Sequence, residues 1–103
     1  MPSQDFKRSD RIADLIKVEI SKVLSTEVKD PRIQGITVLG VQLTPDMKKA
    51  DISISQSNSF NSLDPSEVKE GLENAKGFIR KKLSQNLNLR RTPEIFFKLE
   101  DLI

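Results

Sequence analysis

The chain has 103 residues, 36% hydrophobic and 31% charged, with a net charge of +2; this suits one charge-rich globular domain with a modest core and excludes a disordered chain. It holds no cysteine and no histidine, which excludes a disulfide framework, thiolate chemistry and the commonest general base and metal ligand. The opening residues MPSQDFKRSDR carry acid and lack an apolar centre, and no apolar run reaches membrane-spanning length, so a cytoplasmic protein is expected.

In chain order, the first element is an amphipathic helix from Ser9 to about Thr26. Ile12, Leu15, Ile16, Ile20, Val23 and Leu24 recur at three- and four-residue spacing, and Ser9 or Asp10 is placed to cap the N-terminus. The turn KDPRIQG, Lys29 to Gly35, follows. Pro31 disfavours helix at Asp30 and helps to end the element. Asp30 and Arg32 are expected to fix this turn through hydrogen bonds and a surface ion pair. Ile36 to Thr44 is β-rich, and its alternation falters around Gly40, which marks a bulge or a close approach. Pro45 to Lys49 makes a turn. Ala50 to Ser55 alternates cleanly, with Ala50, Ile52 and Ile54 on one face. The two strands read as an antiparallel hairpin.

A polar loop containing Phe60, expected to anchor it to the core, leads to DPSEV. Asp64 at the N-cap, Pro65 at the first helical position and Glu67 at the third make a strong helix start. One apolar stripe follows through Val68, Leu72, Ala75, Ile79 and Leu83. Gly71 lies beside it and suits close packing. Phe78 flanks it and is expected in the core. NLNLRRTP breaks the helix, and Glu94 to Leu99 reads as a third strand, in which one of Phe96 and Phe97 faces inward and the other outward. The sum is an α+β fold with helices on one face of a three-stranded sheet.

Two features could carry function. From Ala75 to Thr92 there are six cations, Lys76, Arg80, Lys81, Lys82, Arg90 and Arg91, and no acid. Arg80 and Lys81 are expected to face solvent, and Lys82 to lie nearer the stripe. Such a run is either a solvated face or a phosphate-binding surface. The other feature is Gly77. Glycine within a helix costs about 1 kcal/mol relative to alanine. Either the helix runs straight through it, as the unbroken stripe implies, or it marks a bend whose freed amides favour an anion. Lys7, Arg8 and Arg11 form a smaller basic cluster. No carboxylate pair has a spacing that implies a catalytic site, and no GxxxxGK loop is present, so the chain does not read as an enzyme and no cofactor or metal is expected.

Four segments in register, DPRI, ITVLGVQLTPDMKKADISIS, LENAKGFIRKKL and LRRTPEIFFKLED, resemble the ribosome-binding factor A family. The resemblance spans about Arg8 to Asp101 and implies a single KH-like domain over residues 8–101, with the type II order α-β-β-α-α-β and residues 1–7 as a flexible N-terminus. It implies that an Ala-x-Gly kink, here Ala75-Lys76-Gly77, divides the second helical segment. It further implies binding to the small ribosomal subunit through its rRNA, assistance in late maturation, notably in the cold, and a functional link to ribosome-assembly GTPases. Family members usually continue past the last strand, whereas this sequence ends at Ile103. The expected RNA contacts are Ala75, Lys76, Gly77, Arg80, Lys81, Lys82, Arg90 and Arg91, with Lys7, Arg8 and Arg11 as a secondary set. Nothing calls for obligate assembly, so a monomer is expected. The rival reading is a small protein-interaction module that uses the sheet or the first helix.

Overall fold

Helix α1 runs over Gln4–Thr26 in the computed structural model, which describes residues 4–56 and 64–100, with side chains from Arg8 onward. Ala13, Ile16, Ile20, Val23 and Leu24 line its inward face and are buried. Neither Ser9 nor Asp10 caps it. Ser9 sits four residues before Ala13 on the inward face and is 2% exposed, so the buried stripe extends one step back and the helix with it. Leu15, counted with the apolar face by spacing, is instead 51% exposed. It falls about 100° round the helix from Ile16, outside the arc that meets the sheet. At the other end the Thr26 hydroxyl donates to the Lys22 carbonyl at 2.6 Å, and the amides of Glu27 and Val28 donate to the Val23 carbonyl. The two amide bonds satisfy the Val23 carbonyl, one of the last four of the helix and without an intrahelical partner.

The turn after α1 holds a short 3-10 helix, Pro31–Ile33. Asp30 caps it by accepting from the Arg32 amide at 2.9 Å, and the Arg32 guanidinium folds back onto the same carboxylate at 2.6 Å. The hydrogen bonds expected of these two residues are therefore present. They aim Ile33 into the core, where it is buried.

Strands β1 (Ile36–Leu43), β2 (Lys49–Gln56) and β3 (Glu94–Leu99) form one sheet in that order. β1 and β2 pair antiparallel, and β2 and β3 pair parallel. The register shifts between Val38 and Gly40, so Leu39 is the extra residue of the bulge suspected at Gly40. Without it, Val41 and Leu43 would face away from the side that Val38 faces. With it, Val38, Val41 and Leu43 stand opposite Ile54, Ile52 and Ala50 on one inward face. A two-residue hairpin cannot join parallel strands, and α2 supplies the crossover.

Helix α2 runs over Pro65–Leu87. The Asp64 carboxylate accepts from the Ser66 amide at 3.1 Å, and Pro65 occupies the first turn, where no amide is required. Val68, Leu72, Ala75, Ile79 and Leu83 are all buried. The division into two helices at Ala75–Gly77 does not occur. The helix is continuous, and Gly77 has no positive φ. The stripe explains this: Ala75 and Ile79, on either side of Gly77, must reach the same core, which only an unbroken 3.6-residue period allows. Asn88, at φ 52°, ends the helix in the left-handed conformation. α1 lies over β1 and α2 over β3, and the helices meet where the Asn86 amide donates to the buried Glu19 carboxylate at 2.8 Å. Phe60 lies outside the described residues.

Candidate nucleic-acid interface

The basic run from Lys76 to Arg91 divides into cations that are already engaged and cations that are not. Lys76 pairs with Glu73 at 3.0 Å, one turn back, and its ammonium sits 5.5 Å from the centre of the Phe96 ring. Lys82 meets Glu27, just past the end of α1, at 3.5 Å, and lies 5.5 Å from the Phe78 ring. Both ring contacts are within cation–π range. The acid-free appearance of the segment is thus local to the sequence, because folding supplies Glu73 and Glu27. Arg80 is exposed, as expected, yet its guanidinium donates to the carbonyls of Pro93 and Thr92, each at 3.3 Å. Lys81, Arg90 and Arg91 are exposed and have no partner among the described residues.

Ala75 points into the core, so only its backbone is near this surface. Gly77 faces solvent, and a methyl group placed on it would meet nothing within 4 Å. Phe78, expected in the core, is 41% exposed. It falls about 100° from Ile79 around the helix, outside the buried arc. On β3, Phe97 packs against the core while Phe96 is 38% exposed. Two partly exposed rings therefore stand beside lysines on this part of the surface. Rings and cations together are what single-stranded nucleic acid uses for stacking and phosphate contact.

The secondary basic cluster does not stand apart. A cleft of about 570 Å³ opens between α1, the β1–β2 turn and the segment after α2. Arg8 borders it from α1, and Arg90 and Arg91 from the other side. Asp46 and Met47 of the turn complete the rim. Met47 adopts a left-handed φ of 61°, held by its amide donating to the Thr44 carbonyl at 2.8 Å. The Asp46 carboxylate accepts from the Thr44 hydroxyl at 2.6 Å and from the Lys48 amide at 3.0 Å. These bonds, the hydroxyl's first, hold the Asp46 carboxyl below the usual carboxylate range. Sequence reasoning separated Arg8 from Arg90 and missed the cleft. The Pro45-Asp46 turn was the available signal, but it does not say what the turn faces. Arg11 is exposed further along α1, and the Lys7 side chain lies outside the described residues.

The sequence model for ribosome-binding factor A matches residues 8–103. The chain belongs to the ribosome-binding factor A family. A ribosome-binding factor A from Syntrophus aciditrophicus is 44% identical over 93 residues, covering 90% of this chain and 74% of that protein. Among solved structures, the crystal structure of ribosome-binding factor A from Thermus thermophilus matches 88% of this chain and 93% of its own, with a TM-score of 0.77 and 18% identity. A second Thermus thermophilus structure, a homology model fitted into the cryo-EM map of a 30S complex, gives a TM-score of 0.69 at 19% identity over 87% of this chain and 92% of that one. At these identities the likeness speaks for the α+β fold alone.

Proposed function

We propose that this chain is a non-enzymatic, monomeric, cytoplasmic factor that docks on the free small ribosomal subunit through its rRNA and assists late maturation, including in the cold. Family membership supports the ribosomal setting, as does the 30S complex formed by the Thermus thermophilus relative. The observation that carries the RNA reading is the trio of exposed cations in the basic run, Lys81, Arg90 and Arg91, that have no acid partner among the described residues. In this reading they meet phosphates, with Arg8, which borders the same cleft as Arg90 and Arg91, extending the contact. Lys7 belongs to the same set. Lys76 and Lys82 exchange their carboxylates for phosphate oxygens on binding. Gly77 leaves open surface to which an RNA backbone can come close, between the buried Ala75 and the solvent-facing Lys81. Arg80 positions the connector. Phosphate contacts of this kind orient without reading sequence. The factor then acts by binding one rRNA conformation better than its competitors. Sedimentation with purified free small subunits and with whole ribosomes tests this: co-migration with the free subunits is expected, and co-migration with neither overturns it.

A further inference from the structure

Helix α1 carries a second ordered row on the side away from the core. Arg8, Arg11, Leu15, Val18 and Lys22 follow one another at steps of three, four, three and four residues, and all five are exposed. Val18 is 69% exposed and adjoins Leu15, itself half exposed. Leu15 is also a wall of the cleft, beside Ile12, so the apolar strip continues into it. Arg8, Arg11 and Lys22 have no acid partner among the described residues. The row is thus two aliphatic side chains between cationic ends. Among the described residues, the exposed acids of the helix are Asp10, which lies off the row, and Asp14, which borders it beside Val18.

This pattern serves RNA poorly. Aliphatic side chains offer a base no ring on which to stack, and phosphates need only the cations. Alternating steps of three and four are the spacing by which one helix seats against another. A complementary helix would set apolar side chains against Leu15 and Val18 and carboxylates against Arg11 and Lys22, leaving Arg8 to the RNA. We infer that the outward row of α1 is a docking surface for an acidic, amphipathic helix of a small-subunit protein, used together with the RNA contact. The inference rests on the ribosomal reading above.

The test places the photo-crosslinking residue p-benzoylphenylalanine at Val18 and, in a second variant, at Lys81. Each is bound to purified small subunits, whose co-sedimentation is checked before irradiation. The Val18 adduct is expected to survive ribonuclease, to be destroyed by protease, and to map to an acidic helical peptide of one ribosomal protein. The Lys81 adduct is expected to be lost with ribonuclease. A Val18 adduct to RNA overturns the inference, as does a Lys81 adduct with none at Val18. Failure to co-sediment at all sinks the ribosomal reading and the inference with it. A charge-reversed variant, Arg11→Glu with Lys22→Glu, changes exposed positions only. It should weaken subunit binding on the order of tenfold while retaining the wild-type circular dichroism spectrum. Unchanged binding by this variant also overturns the inference.

Discussion

Gly71 of α2 lies so close to Ile33 that a Cβ on the glycine would stand 2.9 Å from Ile33 Cγ2. The next neighbour, Arg32 Cβ at 3.1 Å, is equally unable to swing away. Gly71→Ala gains helix propensity worth about 1 kcal/mol, but it forces the 3-10 turn off the helix. Overpacking of this kind costs about 1–3 kcal/mol, so the clash should win. Urea denaturation should show Gly71→Ala less stable than wild type. Combined with Ile33→Ala, which removes the nearer methyl but leaves Arg32 Cβ in place, the same change should cost less than it does in the wild-type background. An undiminished cost in that background would place the conflict elsewhere.

Gly77 should respond in the opposite sense. It is exposed, its φ is not positive, and an added methyl meets nothing. Gly77→Ala should raise stability by about 1 kcal/mol, or roughly 4–8 °C in melting temperature for a domain of this size. If RNA backbone comes close at this point, the same variant should bind small subunits more weakly despite being more stable. Equal binding would remove Gly77 from the contact.

Lys81, Arg90 and Arg91 are the cations to remove when testing phosphate contact, because none holds the fold together. Arg80 is a poorer choice, since its guanidinium supports the connector. The triple variant Lys81→Ala, Arg90→Ala, Arg91→Ala should flatten the plot of log affinity against log salt by about two to three units, at roughly 0.7–0.9 per lost contact. Affinity should fall alike for unrelated RNA sequences. A lower affinity with an unaltered slope would argue against phosphate contact.

Asp30 should make stability depend on acid. The Arg32 side chain, through its hydrogen bonds, is the main reason that the Asp30 carboxyl titrates below its ordinary value of 3.8, and the Arg32 amide adds to it. A carboxylate with a depressed folded-state pKa stabilises the fold fully above the unfolded value. That stabilisation is lost as pH falls through the lower, folded value. Urea midpoints measured downward from pH 5 should therefore decline less steeply in Asp30→Asn than in wild type. Because the pair is only partly buried, the difference should shrink in high salt. Parallel curves would show that the pair does not couple to folding.

The strands and the second helix were legible because their signals are local. Ala50, Ile52 and Ile54 alternate, Asp64-Pro65 starts α2 and Asn88 follows its last turn. The bulge was visible as a faltering alternation at Gly40, though not that Leu39 would be the inserted residue. What failed was information held between elements. Ser9 looked like a cap because serine caps helices, but its place four residues before Ala13 drew it inside. Leu15 by its spacing and Phe78 by its place beside the stripe read as inward, whereas the sheet sets how wide an arc of each helix is covered. The basic run looked free of acids until Glu27 and Glu73 arrived. The cleft joining Arg8 to Arg90 needs residues more than 80 positions apart, and no spacing rule reaches that far.

Arg80 ties the helix to the carbonyls of Thr92 and Pro93, and this governs how Arg90 and Arg91 meet a ligand. Asn88 turns the chain out of α2, and β3 begins at Glu94, so the segment displaying the two arginines is pinned at both ends. Its backbone freedom is surrendered when the domain folds. A ligand that engages it need immobilise only the two side chains, and ordering a loop is among the larger penalties of association. Arg80 thus serves recognition as a preorganising strut, and its neutral replacement should show in the entropy of binding before it shows in the footprint.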